Sequence, residues 1–174
     1  MRGLKRSLTI VLASVTAAAA LAAGDAATVR PDMETRAEPA VKPEIYLKPA
    51  GAGSEGWIYA LNGYDPVSYF TEGGPRQGSD LFTWEWKGAL WRFADRDNMN
   101  RFIQRPQVFA PQYGGYCAWA MAHGRTAPGD PEAWAIHNGK LYVTLNRAIK
   151  RKWDRNRDGL IARADAHWPG VLEK

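Results

Sequence analysis

Residues 81–93 read LFTWEWKGALWRF, two aromatic runs on either side of Lys87-Gly88-Ala89. Strand-forming residues around a short glycine-containing connection predict a β-hairpin, Leu81–Trp86 with Leu90–Phe93. Alternation by two puts Phe82, Trp84 and Trp86 on one strand face and Leu81 and Thr83 on the other. The same pattern returns downstream. Trp134–Ile136 and Leu141–Leu145 flank His137-Asn138-Gly139-Lys140, and Asn-Gly favours a type I′ turn. Asp95 is the predicted cap of a helix from Arg96 to about Gln104, with Met99, Phe102 and Ile103 inward and Pro106 as its end. Trp57–Leu61 predicts a strand. Asp65-Pro66 predicts the start of a short helix, with Asp as cap and Pro at the first position. Residues 73–79 predict a loop, Pro111–Gly115 a turn, and Tyr116–His123 a buried helical turn. Arg147–Trp153 and Ile161–His167 predict two more helices. The sum is α+β: a small antiparallel sheet built of hairpins and covered by short helices. No internal repeat is evident in the sequence.

Outward from this core the composition changes. All 20 Trp, Tyr and Phe of the 174 residues lie from Tyr46 onward. Residues 1–23 carry Arg2, Lys5 and Arg6, then an uncharged Ala-rich run ending in small residues. That is the form of a secretory signal peptide, cleaved between residues 22 and 27. A membrane anchor is the competing reading, with a run at the short edge for a span. Residues 24–56 hold prolines at 31, 39, 43 and 49 and read as a flexible tether, on which Tyr46 and Leu47 could dock. The domain then spans 57–170. One cysteine excludes an intramolecular disulfide framework and paired-cysteine zinc sites. The formal charge of +5 falls to +2 once the three basic residues of the signal leave. Nucleic acid is not an expected partner, and no membrane span is expected after signal removal. The basic run over 147–157 reads as a solvated helix face.

Several stretches occur in a telling order. Gly63-Tyr64-Asp65-Pro66-Val67-Ser68-Tyr69-Phe70 comes first, then Trp91-Arg92-Phe93, Phe102 and Pro106. Pro111-Gln112-Tyr113-Gly114-Gly115-Tyr116-Cys117-Ala118 follows, then Asp130-Pro131, Trp134, Gly139-Lys140-Leu141-Tyr142 and Trp168-Pro169. Over about 57–170 the chain resembles the exported YHS-domain proteins of Gram-negative bacteria. The resemblance implies a small α+β domain in a periplasmic or secreted protein. Related short YHS modules occur in metal-transporting ATPases and some multicomponent oxygenases, where paired cysteines suggest metal binding. This chain departs from them by having only Cys117.

Three sets of residues could carry chemistry. Cys117, Met121 and His123 offer a thiolate, a thioether and an imidazole, soft ligands that suit copper(I). The alternative is that Cys117 and Met121 are core residues. Tyr64, Asp65, Tyr69, Tyr113 and Tyr116 could line a polar–aromatic ligand pocket, or simply cap and pack. Residues 154–165, DRNRDGLIARAD, place Asp154, Asn156, Asp158, the Leu160 carbonyl and Asp165 at calcium-loop positions 1, 3, 5, 7 and 12, with Gly159 at the turn. A polar turn between two helices is the competing reading. None of the common hydrolase, nucleotide or dinucleotide motifs is present. The expected function is an exported, non-enzymatic binding protein for a metal ion or small ligand. Two alternatives are a redox accessory protein using Cys117 and a calcium-stabilised module for an exported protein partner.

Overall fold

The computed structural model describes residues 41–48 and 59–174. The expected signal peptide, most of the tether and Trp57 lie outside those residues. The predicted first strand reduces to isolated bridges at Tyr59 and Ala60, followed by a left-handed turn at Leu61, Asn62 and Gly63.

Both hairpins form. Strand β1 (Ser79–Trp86) pairs antiparallel with β2 (Ala89–Phe93), and β3 (Asp130–His137) with β4 (Lys140–Thr144). They are two separate two-stranded sheets rather than one. Asn138 and Gly139 have φ of 51° and 71°, the pair of left-handed residues that a type I′ turn demands. Lys87 and Gly88 repeat this at 51° and 67°. Helices α1 (Ser68–Thr71), α2 (Arg96–Gln104), α3 (Pro106–Phe109), α4 (Ala118–Met121), α5 (Arg147–Asp154) and α6 (Arg157–His167) complete the fold. Among the described residues, no helix is long and apolar enough to cross a membrane.

The two halves of the domain are copies of one design, which corrects the reading that no repeat exists. Leu61, Asn62 and Gly63 have φ of 51°, 52° and 80°; Tyr113, Gly114 and Gly115 have 55°, 61° and 86°. Each left-handed turn leads into a tyrosine in an antiparallel bridge, Tyr64 with Gln77 and Tyr116 with Pro128. Each hairpin then shows the same register irregularity, between Ser79 and Thr83 in one and between Asp130 and Trp134 in the other. Each ends in an Asx-capped helix. Asp95 accepts from the Asn98 N–H at 2.9 Å, and Asn146 from the Ile149 N–H at 2.9 Å. One helical turn on, Phe102 and Trp153 are both buried.

The cores follow this division. Trp91, Phe93 and Phe102 pack with rings 5.0 and 5.2 Å apart in the first. Tyr142 and Trp153, 5.4 Å apart, belong to the second. Strand β4 joins them: Leu141 and Val143 enter the first core and Tyr142 the second, as alternation requires. One predicted inward position turns out differently. Ile103 is 36% exposed, because Asn98 and Phe102, four residues apart, define the buried stripe of α2. Trp84 is 44% exposed, while Phe82 and Trp86 on the same predicted face are half-buried against the first core. Pro106 opens α3 rather than merely ending α2.

Part of the predicted tether is built in. Residues 41–48 cross the second half. The Lys42 N–H donates to the Leu172 carbonyl at 3.0 Å and the Tyr46 N–H to the Gly114 carbonyl at 2.8 Å. Tyr116 donates its hydroxyl to the Pro43 carbonyl at 2.9 Å, and Ile45 is buried. A Cβ on Gly114 would stand 1.7 Å from the Glu44 carbonyl oxygen, at φ +61°. Gly139, at φ +71°, has nothing within 4 Å of that position. Gly114→Ala should therefore cost about 2–4 kcal/mol, from left-handed strain plus the clash. Gly139→Ala should cost only about 1–2 kcal/mol of strain. Urea unfolding of both variants checks the difference; equal losses would mean the strap does not press on Gly114.

Candidate functional site

The five residues of the expected polar–aromatic pocket do not converge. Tyr64 and Tyr69 pack with the first core and Tyr113 and Tyr116 with the second. Each hydroxyl has its own partner. Tyr64 donates to Glu132 at 3.1 Å, Tyr69 to the Pro131 carbonyl at 3.1 Å, and Tyr113 to Asp165 at 2.7 Å. Burial pushes the pKa values of Tyr69 and Tyr113 far above the ordinary phenol value, so both stay protonated donors.

Asp65 is fully buried and acts as a clamp. Its Oδ1 accepts from the Val67 N–H at 2.8 Å, immediately ahead of α1. Its Oδ2 accepts from the Ala94 N–H at 2.9 Å and from Asn98 Nδ2 at 2.7 Å. The carboxyl thus ties the entry of α1 to the end of β2 and to α2. Burial pushes its pKa up, and the three donors pull against that without cancelling it.

The soft-ligand set does not form. Cys117 is 1% exposed and its Sγ accepts from the Leu145 N–H at 3.1 Å. Met121 is buried, so these two are core residues. His123 is exposed and turns away, its Nδ1 2.7 Å from the Trp119 carbonyl and its ring 4.8 Å from the Trp119 ring. Burial raises the Cys117 pKa, against backbone N–H donors that lower it, which keeps the thiol protonated and weakly nucleophilic.

The calcium-loop reading also fails on backbone grounds. Only Arg155 and Asn156 separate α5 from α6, so Asp158, Leu160 and Asp165 stand on one helix. Asp158 and Asp165 are about 10 Å apart along that axis at ~1.5 Å per residue. Calcium needs all its oxygens within about 2.6 Å of one point. Each residue has another task. Asp154 takes Lys150 and Arg157, both at 2.7 Å. Asn156 caps α6 through the Gly159 N–H at 3.2 Å. Asp158 meets His137 at 2.7 Å. Gly159 is glycine because a Cβ would sit 2.7 Å from the capping oxygen of Asn156. Among the described residues, no three His, Cys, Asp or Glu side chains are grouped to hold a metal.

What the fold does build is an open groove between β3 and the α5–α6 corner. Glu132, Trp134, Ala135 and Ile136 line one side, and Arg147, Lys150 and Arg157 the other. Trp134 stands edge-on to Tyr69, ring centres 5.2 Å apart, which fixes its ring as part of the floor. Asp154 holds Lys150 and Arg157 in place from below. Arg147 is the least constrained, 3.9 Å from Glu132. The charge run in the sequence contained these cations; their meeting with Trp134 and Ile136 needed the tertiary fold.

No family model matches the chain, and neither a curated protein nor a solved structure does.

Replacing Asp65 by Asn leaves one acceptor where two serve three donors and turns an N–H₂ toward them. Asp65→Asn should lose about 2–4 kcal/mol of stability in chemical denaturation at neutral pH. The sign of its pH dependence follows from the raised pKa. The folded state binds the Asp65 proton more tightly than the unfolded state. Its contribution is therefore greatest at low pH and is lost as pH rises from the ordinary carboxylate value through the raised one. Asp65→Asn should lack that slope. Calcium should leave the Tm unchanged, and a thiol reagent should label Cys117 only as the protein unfolds. Rapid labelling of the native protein would contradict the buried position.

Proposed function

We propose that this chain is an exported, non-enzymatic binding protein of the YHS-domain type, and that its ligand is a small anion with an apolar body. The groove carries this reading. An indole and an isoleucine side chain form an apolar surface, and three cations stand along its rim. An apolar body gains by covering Trp134 and Ile136. An anionic head gains charge-assisted hydrogen bonds from Arg147, the rim cation whose carboxylate partner is most distant. The residues that suggested chemistry in the sequence, Asp65, Cys117 and Met121, are instead bound up in the interior, which favours binding over turnover. The basic, Ala-rich N-terminus supports export. The GYDPVSYF and PQYGGYCA stretches support the YHS-type reading, and they supply the two tyrosine bridges and the two side-chain clamps of the repeat.

Titration with benzoate and, separately, with benzyl alcohol tests the site. Benzoate should shift the Trp134 indole resonance and the amides of 147–157, and bind at least about tenfold more tightly than the alcohol, the effect of one charge-assisted contact. Arg147→Met should remove most of that preference while leaving the Tm within about 2 °C, as expected for an exposed surface change. Equal binding of acid and alcohol, or resonance shifts elsewhere in the domain, would reject the groove as the ligand site.

A further inference from the structure

The repeat supplies an internal control for charge. Helices α2 and α5 have the same place in their halves: each follows a hairpin, begins at an Asx cap and buries one aromatic ring. Their outer faces differ. Residues 147–157 hold six of the chain's 23 Lys and Arg against one of its 18 Asp and Glu. That stretch accounts for the whole formal charge of +5, and the rest of the chain is balanced. The equivalent stretch, residues 96–106, holds three, Arg96, Arg101 and Arg105, against Asp97. Packing does not demand so large an excess, since the α2 stretch does the same structural work at a net +2 against +5.

We propose that the outer face of α5 docks the protein onto an anionic lipid surface. Arg151 and Arg155 are four residues apart, about 6 Å along the helix, and so lie on one side. Arg155 continues the helical path, with φ −72° and ψ −22°. Lys152 flanks them, and all three are exposed. None forms an ion pair with a carboxylate among the described residues. The one acid within the stretch, Asp154, is taken by Lys150 and Arg157. Trp153 points the other way and is buried. The face is therefore convex, cationic and without exposed aromatic rings, which argues against single-stranded nucleic acid, where bases stack on aromatics. At its N-terminal end Leu145 is 42% exposed, an apolar side chain placed to enter a lipid interface beside the arginines. The charge asymmetry orients the whole molecule with this face toward a negative surface. The N-terminal segment has the sequence form of an export signal, Arg2, Lys5 and Arg6 before an uncharged run, and such a signal would bring the chain to a membrane. This site goes beyond the groove, which uses Arg147, Lys150 and Arg157.

The test is vesicle flotation of the full chain on phosphatidylcholine with and without phosphatidylglycerol. Taking the ratio of the two removes any contribution of the N-terminal apolar segment. The anionic vesicles should bind at least about tenfold better at ~50 mM salt, and the preference should vanish near ~500 mM. Arg151→Glu with Lys152→Glu and Arg155→Glu should abolish the preference and leave benzoate binding intact. Arg101→Glu with Arg105→Glu and Arg125→Glu makes the same change in net charge at other exposed positions and should retain it. Circular dichroism confirms that each variant folds. Equal loss in both triple variants would reduce the effect to net charge and overturn the proposal. Binding to a short DNA duplex as tightly as to anionic vesicles would also overturn it, as would wild-type protein without lipid preference.

Discussion

The first backbone N–H after each hairpin is held by a side chain from the segment that precedes that hairpin. Asp65 receives the Ala94 N–H and Cys117 the Leu145 N–H. This contact fixes where a hairpin ends relative to where its half-domain begins. The Asx cap follows one residue later, so the clamp also sets the start and direction of the helix that closes the half. Without it, a two-stranded hairpin is marginal in water. With it, hairpin, left-handed turn and helix share one small core. The same design accepts an oxygen or a sulfur acceptor. Asp65 reaches two donors with Oδ2 and a third with Oδ1, whereas Cys117 meets the post-hairpin N–H with its single Sγ.

That use of reactive groups explains why the sequence suggested chemistry that the fold does not assemble. A carboxylate, a thiol and a ring of tyrosines read as site residues by type. Type says nothing of the backbone donors nearby. Asp154, Asn156, Asp158 and Asp165 show the same point from the other side. Their spacing suits a loop around a cation, yet the same residues serve as an ion-pair acceptor, a helix cap and two tertiary acceptors. The deciding fact is where α6 begins, and an Asn cap with a glycine three residues on is compatible with either backbone until tertiary packing chooses. The Leu160 and Ala164 side chains make that choice by burying one side of a continuous helix.

The hairpins and the cap at Asp95 were readable because they depend on local chemistry: alternation, Asn-Gly, and an Asx residue before a helix. The repeat was not readable for a specific reason. Its most constrained element, three successive left-handed residues, is filled by Leu61-Asn62-Gly63 in one half and Tyr113-Gly114-Gly115 in the other. Leucine and tyrosine are poor signals for that conformation. The clamp residues differ, and Phe102 answers to Trp153. Shared positions carry shared roles with few shared letters. The strap over 41–48 was hidden likewise, because proline-rich composition describes a chain's freedom alone and not the neighbours it meets.

Comparison of the halves separates what folding requires from what it leaves free. Positive φ at the turn, a tyrosine in the bridge, a clamp on the post-hairpin N–H, an Asx cap and one buried ring recur in both. Whatever recurs is accounted for by the architecture. The differences lie on the outside of the closing helix. In the second half that outside carries a carboxylate-poor row of cations, and its inner edge forms the rim of a groove floored by Trp134 and Ile136. Unpaired surface charge of one sign is mildly unfavourable to folding through self-repulsion. A stretch that concentrates it, opposite an equivalent helix that folds with less of it, is not accounted for by packing. What the repeat leaves unexplained is thus not the buried reactive groups but one face of one helix, and the proposed binding rests on that face.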